Sequence, residues 1–105
     1  MKTKIKTIDI TAKEWVDKVN GNSYFSARIT INYCLKDEIT YHIPFEYGYE
    51  DHYKYVALEK LVKEGLLLEG TEKYIYNLRE MNIITRFTKH ENCLKRDVIK
   101  WGIEN

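Results

Sequence analysis

The sequence predicts an α+β fold, in which three or four helices pack mainly on one face of a small antiparallel sheet of three or four strands. Two observations carry this prediction. Apolar and polar positions alternate over much of residues 23–47, and amphipathic segments with helix start and stop residues flank that stretch. At 105 residues, the chain has the length of one compact domain, predicted to span residues 1–105.

The alternation predicts a central hairpin. In residues 25–35 and again in residues 39–47, the odd positions are apolar or aromatic, which is typical of strands with one buried face. A loop over residues 36–38 would make the two apolar faces coincide and place Ile29 opposite Phe45. The expected core residues of the hairpin are Ile29, Ile31, Ile43 and Phe45. Pro44 has no N–H for a sheet ladder, so it should lie at an open edge or a bulge.

A helix is predicted before the hairpin, from Ala12 to Val19, after a short strand over residues 4–10. Thr11 and Glu14 have the spacing of a capping box, and Trp15 occupies the position of the hydrophobic staple. Four elements are expected after Gly48. They are a helix over residues 52–64 between Asp51 and Gly65, a helix over residues 72–80, a strand over residues 83–88, and a helix between Asn92 and Gly102 with Leu94, Val98 and Trp101 on one face.

The composition excludes few functions. The net charge is +1, with 17 basic and 16 acidic residues, so the total charge does not indicate a polyanionic partner. The two cysteines are far apart in sequence and are expected to be lone thiols. The N-terminus lacks the apolar run of a signal peptide, and no stretch approaches membrane-spanning length. We therefore expect a cytoplasmic protein.

No catalytic motif stands out in the sequence. The three histidines lack metal-ligand spacing, and a glycine-rich phosphate loop is missing. Glu46, Glu50 and Asp51 cluster where the second hairpin strand leads into a helix. Such carboxylates hold a metal or share a proton in some sites, but at this position they also stabilise a helix N-terminus. We expect no enzymatic activity, no cofactor and no metal.

The tyrosine-rich turn over residues 45–55 is the leading candidate for a binding surface. Tyr49 and Tyr53 have no evident inward position, and exposed tyrosines at a turn are typical anchors of protein interfaces. They could instead simply cover the end of the sheet. The predicted partner-binding residues are Tyr49, Tyr53, His52, Glu50, Tyr24 and Arg28.

A nucleic-acid-binding module is the alternative function. Tyr24 and Arg28 lie on the outward face of the first hairpin strand, beside polar side chains. A basic strip near the C-terminus would add positive charge; it consists of Arg86, Lys89, Lys95, Arg96 and Lys100. Both features are also compatible with ordinary solvated surfaces. Because the net charge is small, we expect weak binding that moderate salt abolishes.

Two segments, Lys13–Ser26 and Pro44–Tyr49, resemble a group of small uncharacterised proteins of bacteriophages and mobile elements. Members of that group share a helix ending in Asn-Gly-Asn-(Ser/Thr)-Tyr and a Tyr-Gly-Tyr/Gly segment before a helix. The resemblance covers residues 13–62 and implies no catalytic residues. It implies a context, because small phage accessory proteins often bind and block host proteins, including CRISPR and other defence components. We therefore expect a protein that binds a host protein in the host cytoplasm.

Overall fold

The computed structural model describes residues 4–70 and 77–103. The elements are β1 (Thr7–Asp17), β2 (Asn22–Ile31), β3 (Ile39–Tyr47), α1 (His52–Lys63), α2 (Asn77–Glu80), β4 (Ile84–His90) and α3 (Lys95–Trp101). The strands form one sheet in the order β3-β2-β1-β4, and the helices pack against it. The α+β class is therefore confirmed. The sheet is mixed, however, because β4 runs parallel to β1 while the other neighbours are antiparallel.

The segment predicted as the first helix is part of β1, so the prediction of a helix from Ala12 to Val19 is wrong. The even positions of the strand are buried: Ile8, Ile10, Ala12 and Glu14. Pairing with β2 on one side and β4 on the other fixes the strand over eleven residues. These long-range ladders and the burial of one face outweigh the local capping signal of Thr11 and Glu14.

The pairing of β2 with β3 differs from the predicted register, since Ile29 lies opposite Tyr41 and not opposite Phe45. Asn32 explains the difference. It is fully buried with a positive φ of 54°, and its side chain accepts hydrogen bonds from the backbone N–H groups of Lys6 and Thr7. Its amide group also donates to the carbonyl of Lys4. The strand therefore ends at Ile31, and the loop before β3 spans residues 32–38.

A bulge in β3 reverses the direction of its last side chains. Ala27 pairs with Ile43, whereas Phe25 pairs with Glu46, so β3 has one extra residue between these pairs. Pro44 lies at this bulge on an edge strand, where a missing N–H does little harm. Beyond the bulge, Glu46 shares the face of Phe25, while Phe45 shares the opposite face with the ring of Tyr24. The prediction that Phe45 belongs to the main core is wrong for this reason.

The main core lies between the sheet and α1. Its buried residues include Ile8, Ile10, Phe25, Ala27, Ile29, Ile31 and Ile43 from the sheet and Tyr53, Ala57, Leu58 and Leu61 from α1. Residues 52–63 are helical, as the sequence predicts. The helix ends where expected: Gly65 has a positive φ, its N–H donates to Val62, and Leu66 donates to Leu61. This pair of hydrogen bonds is the Schellman motif.

The last helix, α3, packs on the sheet face opposite α1, whereas Leu78 of α2 joins the core on the α1 face. The described helices therefore lie mainly, but not wholly, on one face, as predicted. The Ser26 hydroxyl donates to the carbonyl of Val98, and the Arg28 side chain donates to the carbonyl of Trp101. The Trp101 indole donates to the carbonyl of Thr11 at 2.8 Å. Val98 is buried, but Leu94 is exposed and precedes the helix. Two side chains of β2 and one backbone carbonyl of β1 thus anchor this helix.

Two predicted elements remain. The strand expected over residues 83–88 is β4, at residues 84–90. Of the helix expected over residues 72–80, the structure shows Asn77–Glu80 as α2, and residues 72–76 lie outside the described part of the chain. Within the described ranges, no helix has the length and apolarity needed to cross a membrane.

Candidate protein-binding surface

Five aromatic side chains meet near the β1–β2 turn, four of them on the α3 face of the sheet and the fifth, Tyr49, just beyond the end of β3. We call them the aromatic cluster: Trp15, Tyr24, Phe45, Tyr47 and Tyr49. Strand pairing builds it, because Trp15 lies opposite Tyr24 and Tyr24 lies opposite Tyr47. The bulge completes the cluster by turning Phe45 to the same side. The cluster therefore spans three strands and the segment after β3.

Three of these rings pack closely against one another. The centroids of Tyr24 and Phe45 are 5.1 Å apart with an interplanar angle of 7°, and those of Trp15 and Tyr24 are 5.6 Å apart. Trp15 and Phe45 close the triangle at 6.3 Å. All three side chains are half-buried. Mutual contact at these distances is favourable. The three rings therefore form a packed base for the rest of the cluster.

The other two rings, Tyr47 and Tyr49, stand at the exposed side of the cluster. Their exposed fractions are 54% and 56%, and their rings meet edge to face at 6.1 Å. Gly48 between them is buried and donates its N–H to the carbonyl of Ser23. A Cβ on Gly48 would lie 2.7 Å from the Phe25 ring. The backbone that carries both tyrosines is therefore packed tightly against the sheet.

Tyr53 does not have the exposure expected of a partner-binding residue. Only 5% of it is exposed, and its ring meets Phe87 edge to face at 6.4 Å. Burial raises the pKa of its hydroxyl, with a smaller contribution from Asp51. Tyr53 shares the inward side of α1 with Ala57 because the two are four residues apart. By contrast, Tyr55, two residues further along α1, is exposed.

The other predicted residues of the turn are exposed, but they do not form a common site. His52 contacts the Phe25 ring edge to face at 6.0 Å, and the carbonyl of Glu50 accepts a hydrogen bond from Lys89. Asp51 forms an ion pair with Lys54. Glu46 faces the α1 side, where burial raises the pKa of its carboxyl group and nearby His52 opposes this effect. Among the described residues, no group of three His, Cys, Asp or Glu side chains could hold a metal.

The side chains proposed for nucleic-acid binding are largely committed to contacts within the protein. The Arg28 guanidinium stacks on the Trp101 indole at 3.7 Å and donates to the Trp101 carbonyl. Arg86 binds Asp9 through two hydrogen bonds, and this contact raises the pKa of the guanidinium further. Lys89 pairs with Glu14 at 3.0 Å, largely buried.

The predicted basic strip is also not one surface. Arg86 and Lys89 lie an odd number of positions apart on β4, so their side chains point to opposite faces of the sheet. Lys95, Arg96 and Lys100 belong to the separate helix α3. Of these, Lys95 reaches the aromatic cluster, with its Nζ 5.1 Å from the Trp15 ring.

Sequence reasoning identified Tyr24 and Tyr49 but missed Trp15, Phe45 and Tyr47 as members of this surface. The capping signal placed Trp15 on a helix, and strict alternation placed the other two in the core. Pro44 was the available signal, since a proline inside an alternating run indicates a bulge and therefore a reversal of faces.

Comparison with known proteins finds no match: no family model fits the sequence, and no curated protein or solved structure is significantly similar to the chain.

Proposed function

We propose that this chain is a non-enzymatic protein-binding module whose anchors are Tyr47 and Tyr49. The observation that carries the proposal is the pairing of two half-exposed tyrosines with a packed base of three rings. Rigid aromatic side chains lose little conformational entropy on binding and supply large contact areas. Residues of this kind dominate the binding energy of protein interfaces.

The partner in this proposal is a host protein in the host cytoplasm, such as a component of a CRISPR-type defence system. The support for this part is the resemblance of residues 13–62 to small proteins of bacteriophages and mobile elements. The aromatic cluster supports a protein as the partner. Only the resemblance supports the narrower proposal that this protein belongs to the host and its defence.

A nucleic acid is the second candidate partner, because Lys95 lies over Trp15 and Lys13 lies 4.6 Å from the Trp101 ring on the same face. The geometry favours a protein. Three rings of the cluster pack against one another, so less of their surface is open to stacking by bases. The guanidinium of Arg28 is already stacked and hydrogen-bonded. A net charge of +1 adds little counterion release.

The test is affinity capture from a bacterial host lysate with three forms of the protein. The double variant Tyr47→Ala/Tyr49→Ala removes both anchors, and Tyr55→Ala removes a matched exposed tyrosine on the other face. Exposed substitutions should change stability by no more than about 0.5 kcal/mol each. We expect the wild type and Tyr55→Ala to capture the same protein and the double variant to lose it, with confirmation by calorimetry on the purified pair.

Equal capture by the double variant would overturn the proposal. So would salt-resistant, submicromolar binding to single-stranded RNA or DNA, measured by fluorescence anisotropy, since that result would favour the nucleic-acid module instead.

A further inference from the structure

A groove adjoins the aromatic cluster between the β1–β2 turn and the loop that leads into α3. It has a volume of about 400 Å³, within the range of ligand-binding clefts. Its apolar lining is formed by Trp15, Val16, Val19 and Leu94. Val19 is 93% exposed and Leu94 is 55% exposed. Two exposed aliphatic side chains and one half-buried indole therefore line a single cleft.

The turn that carries Val19 is held rigidly by one carboxylate. Asp17 accepts hydrogen bonds from the backbone N–H groups of Val19 and Asn20 and from the side-chain amide of Asn20. The N–H of Gly21 closes the turn by donating to the Asp17 carbonyl at 2.7 Å. Because the turn is already ordered, binding a partner at Val19 would cost little further conformational entropy of the turn.

The charge at the rim of the groove selects the partner's chemistry. Lys18 is exposed and lines the groove, and the Nζ of Lys95 lies 5.1 Å from the ring of Trp15, which also lines it. Asp17 also lines the groove, and its carboxylate accepts the hydrogen bonds of the turn. Lys18 and Lys95 together outweigh the charge of Asp17, so the groove has an excess positive charge that complementary carboxylates on a partner would meet.

We propose that the groove binds an aliphatic side chain flanked by carboxylates, on an acidic peptide segment of the partner protein. This inference rests on the proposed function and specifies which part of the partner the chain recognises. The aliphatic side chain enters between Val19 and Leu94, and the flanking carboxylates pair with Lys18 and Lys95.

The first test is an NMR titration with short peptides. The probe is the capped peptide Glu-Asp-Leu-Glu-Asp; the controls replace leucine by serine, or all four acids by lysine. The chain has two tryptophans. The Trp101 indole donates a hydrogen bond to the Thr11 carbonyl, whereas Trp15 lines the groove, so the indole signal of Trp15 reports on binding there. We expect saturable shifts of the Trp15 indole and the Val19 methyl groups with the acidic leucine peptide alone. High salt should weaken this binding several-fold.

Variants keep the titration specific. Val19→Asp and Leu94→Asp should abolish the shifts, whereas Leu68→Asp, at another exposed leucine, should leave them unchanged. Equal shifts with the lysine peptide, or none at millimolar concentrations of the acidic one, would overturn the inference. Tighter binding of a DNA oligonucleotide in the groove would overturn it too, as would groove shifts that depend on protein concentration alone, which would indicate a second copy.

The inference and the proposed function fail separately. If Val19→Asp still captures the host protein while Tyr47→Ala/Tyr49→Ala loses it, the inference falls and the proposed function stands. If both variants capture it equally, the proposed function falls as well. If both lose it and the peptide shifts are seen, both stand.

Discussion

The rings of Tyr24 and Phe45 lie 5.1 Å apart and almost parallel on the face of the sheet opposite the main core. Strict alternation would have sent the two side chains to opposite faces. The bulge between the pairs Ala27–Ile43 and Phe25–Glu46 brings them together. One extra residue in β3 therefore converts part of a buried strand into part of an exposed aromatic surface.

This placement predicts how much stability depends on Phe45. Phe45→Ala removes a half-buried ring, so it should cost about 1–2 kcal/mol, against about 3–5 kcal/mol for the fully buried Phe25→Ala. Urea denaturation of both variants measures the two losses. Equal losses would mean that Phe45 belongs to the main core after all.

Tyr49 and Tyr53 should respond in opposite ways to truncation. Tyr53 is buried among core residues, so Tyr53→Ala should cost about 3 kcal/mol or more. Tyr49 is exposed, and Tyr49→Ala should change the free energy of unfolding by no more than about 0.5 kcal/mol. Thermal and urea unfolding of the two single variants provide the comparison. A larger loss of stability for Tyr49→Ala than for Tyr53→Ala would contradict the burial of Tyr53 and the exposure of Tyr49.

The elements that the sequence predicts well are those with local signals. The helix α1 has an amphipathic pattern and Gly65 at its end, and both signals lie within one short segment of the sequence. The strand β1 is different, because its extended conformation depends on pairing with β2 and with β4, which is distant in sequence. A capping signal over four residues cannot report on such partners.

The candidate site was predictable only in part for the same reason. Tyr49 follows a strand and was correctly expected at the surface. The position of Tyr47 depends on the bulge, and the register of β3 depends on Asn32, whose side chain binds the backbone of Lys6 and Thr7. The latter contacts join residues about 25 positions apart, which no local pattern reveals.

Gly102 is required for space, although the sequence suggested a helix-ending role. Its φ of −83° suits any residue, but an added Cβ would lie 2.7 Å from the carbonyl oxygen of Ile43 and 2.9 Å from the Cβ of Ser26. Gly102→Ala should push α3 from the sheet and cost about 1–3 kcal/mol. The neighbouring exposed substitution Ile103→Ala should be nearly neutral. Wild-type stability of Gly102→Ala in urea would show that α3 shifts without cost.

Glu46 should weaken the fold at neutral pH. Burial raises the pKa of its carboxyl group above the usual 4.5, partly offset by His52, so the folded state favours the protonated form. Glu46→Gln should therefore raise the melting temperature at neutral pH. The gain should shrink as the pH falls through the raised pKa and vanish below 4.5, where the wild-type carboxyl is protonated whether folded or not. A Gln variant less stable at neutral pH would indicate a favourable charge interaction of Glu46.

Asp17 should keep the β1–β2 turn ordered until the solution is strongly acidic. The side-chain amide of Asn20 contributes most to lowering the carboxyl pKa below 3.8, and the backbone N–H groups of Asn20 and Val19 add to it. Stabilisation by a group with a lowered pKa is complete above its unfolded value and is lost as the pH falls through the folded value. The amide signals of Val19 and Asn20, followed by NMR, should therefore titrate with a midpoint below 3.8.

Asn20→Ala should move that midpoint upward toward 3.8, because it removes the largest cause of the shift. Asp17→Asn should abolish the titration, since the carboxylate that accepts these hydrogen bonds is gone. A wild-type midpoint at or above 3.8, or one that Asn20→Ala leaves unchanged, would show that Asp17 does not hold the turn.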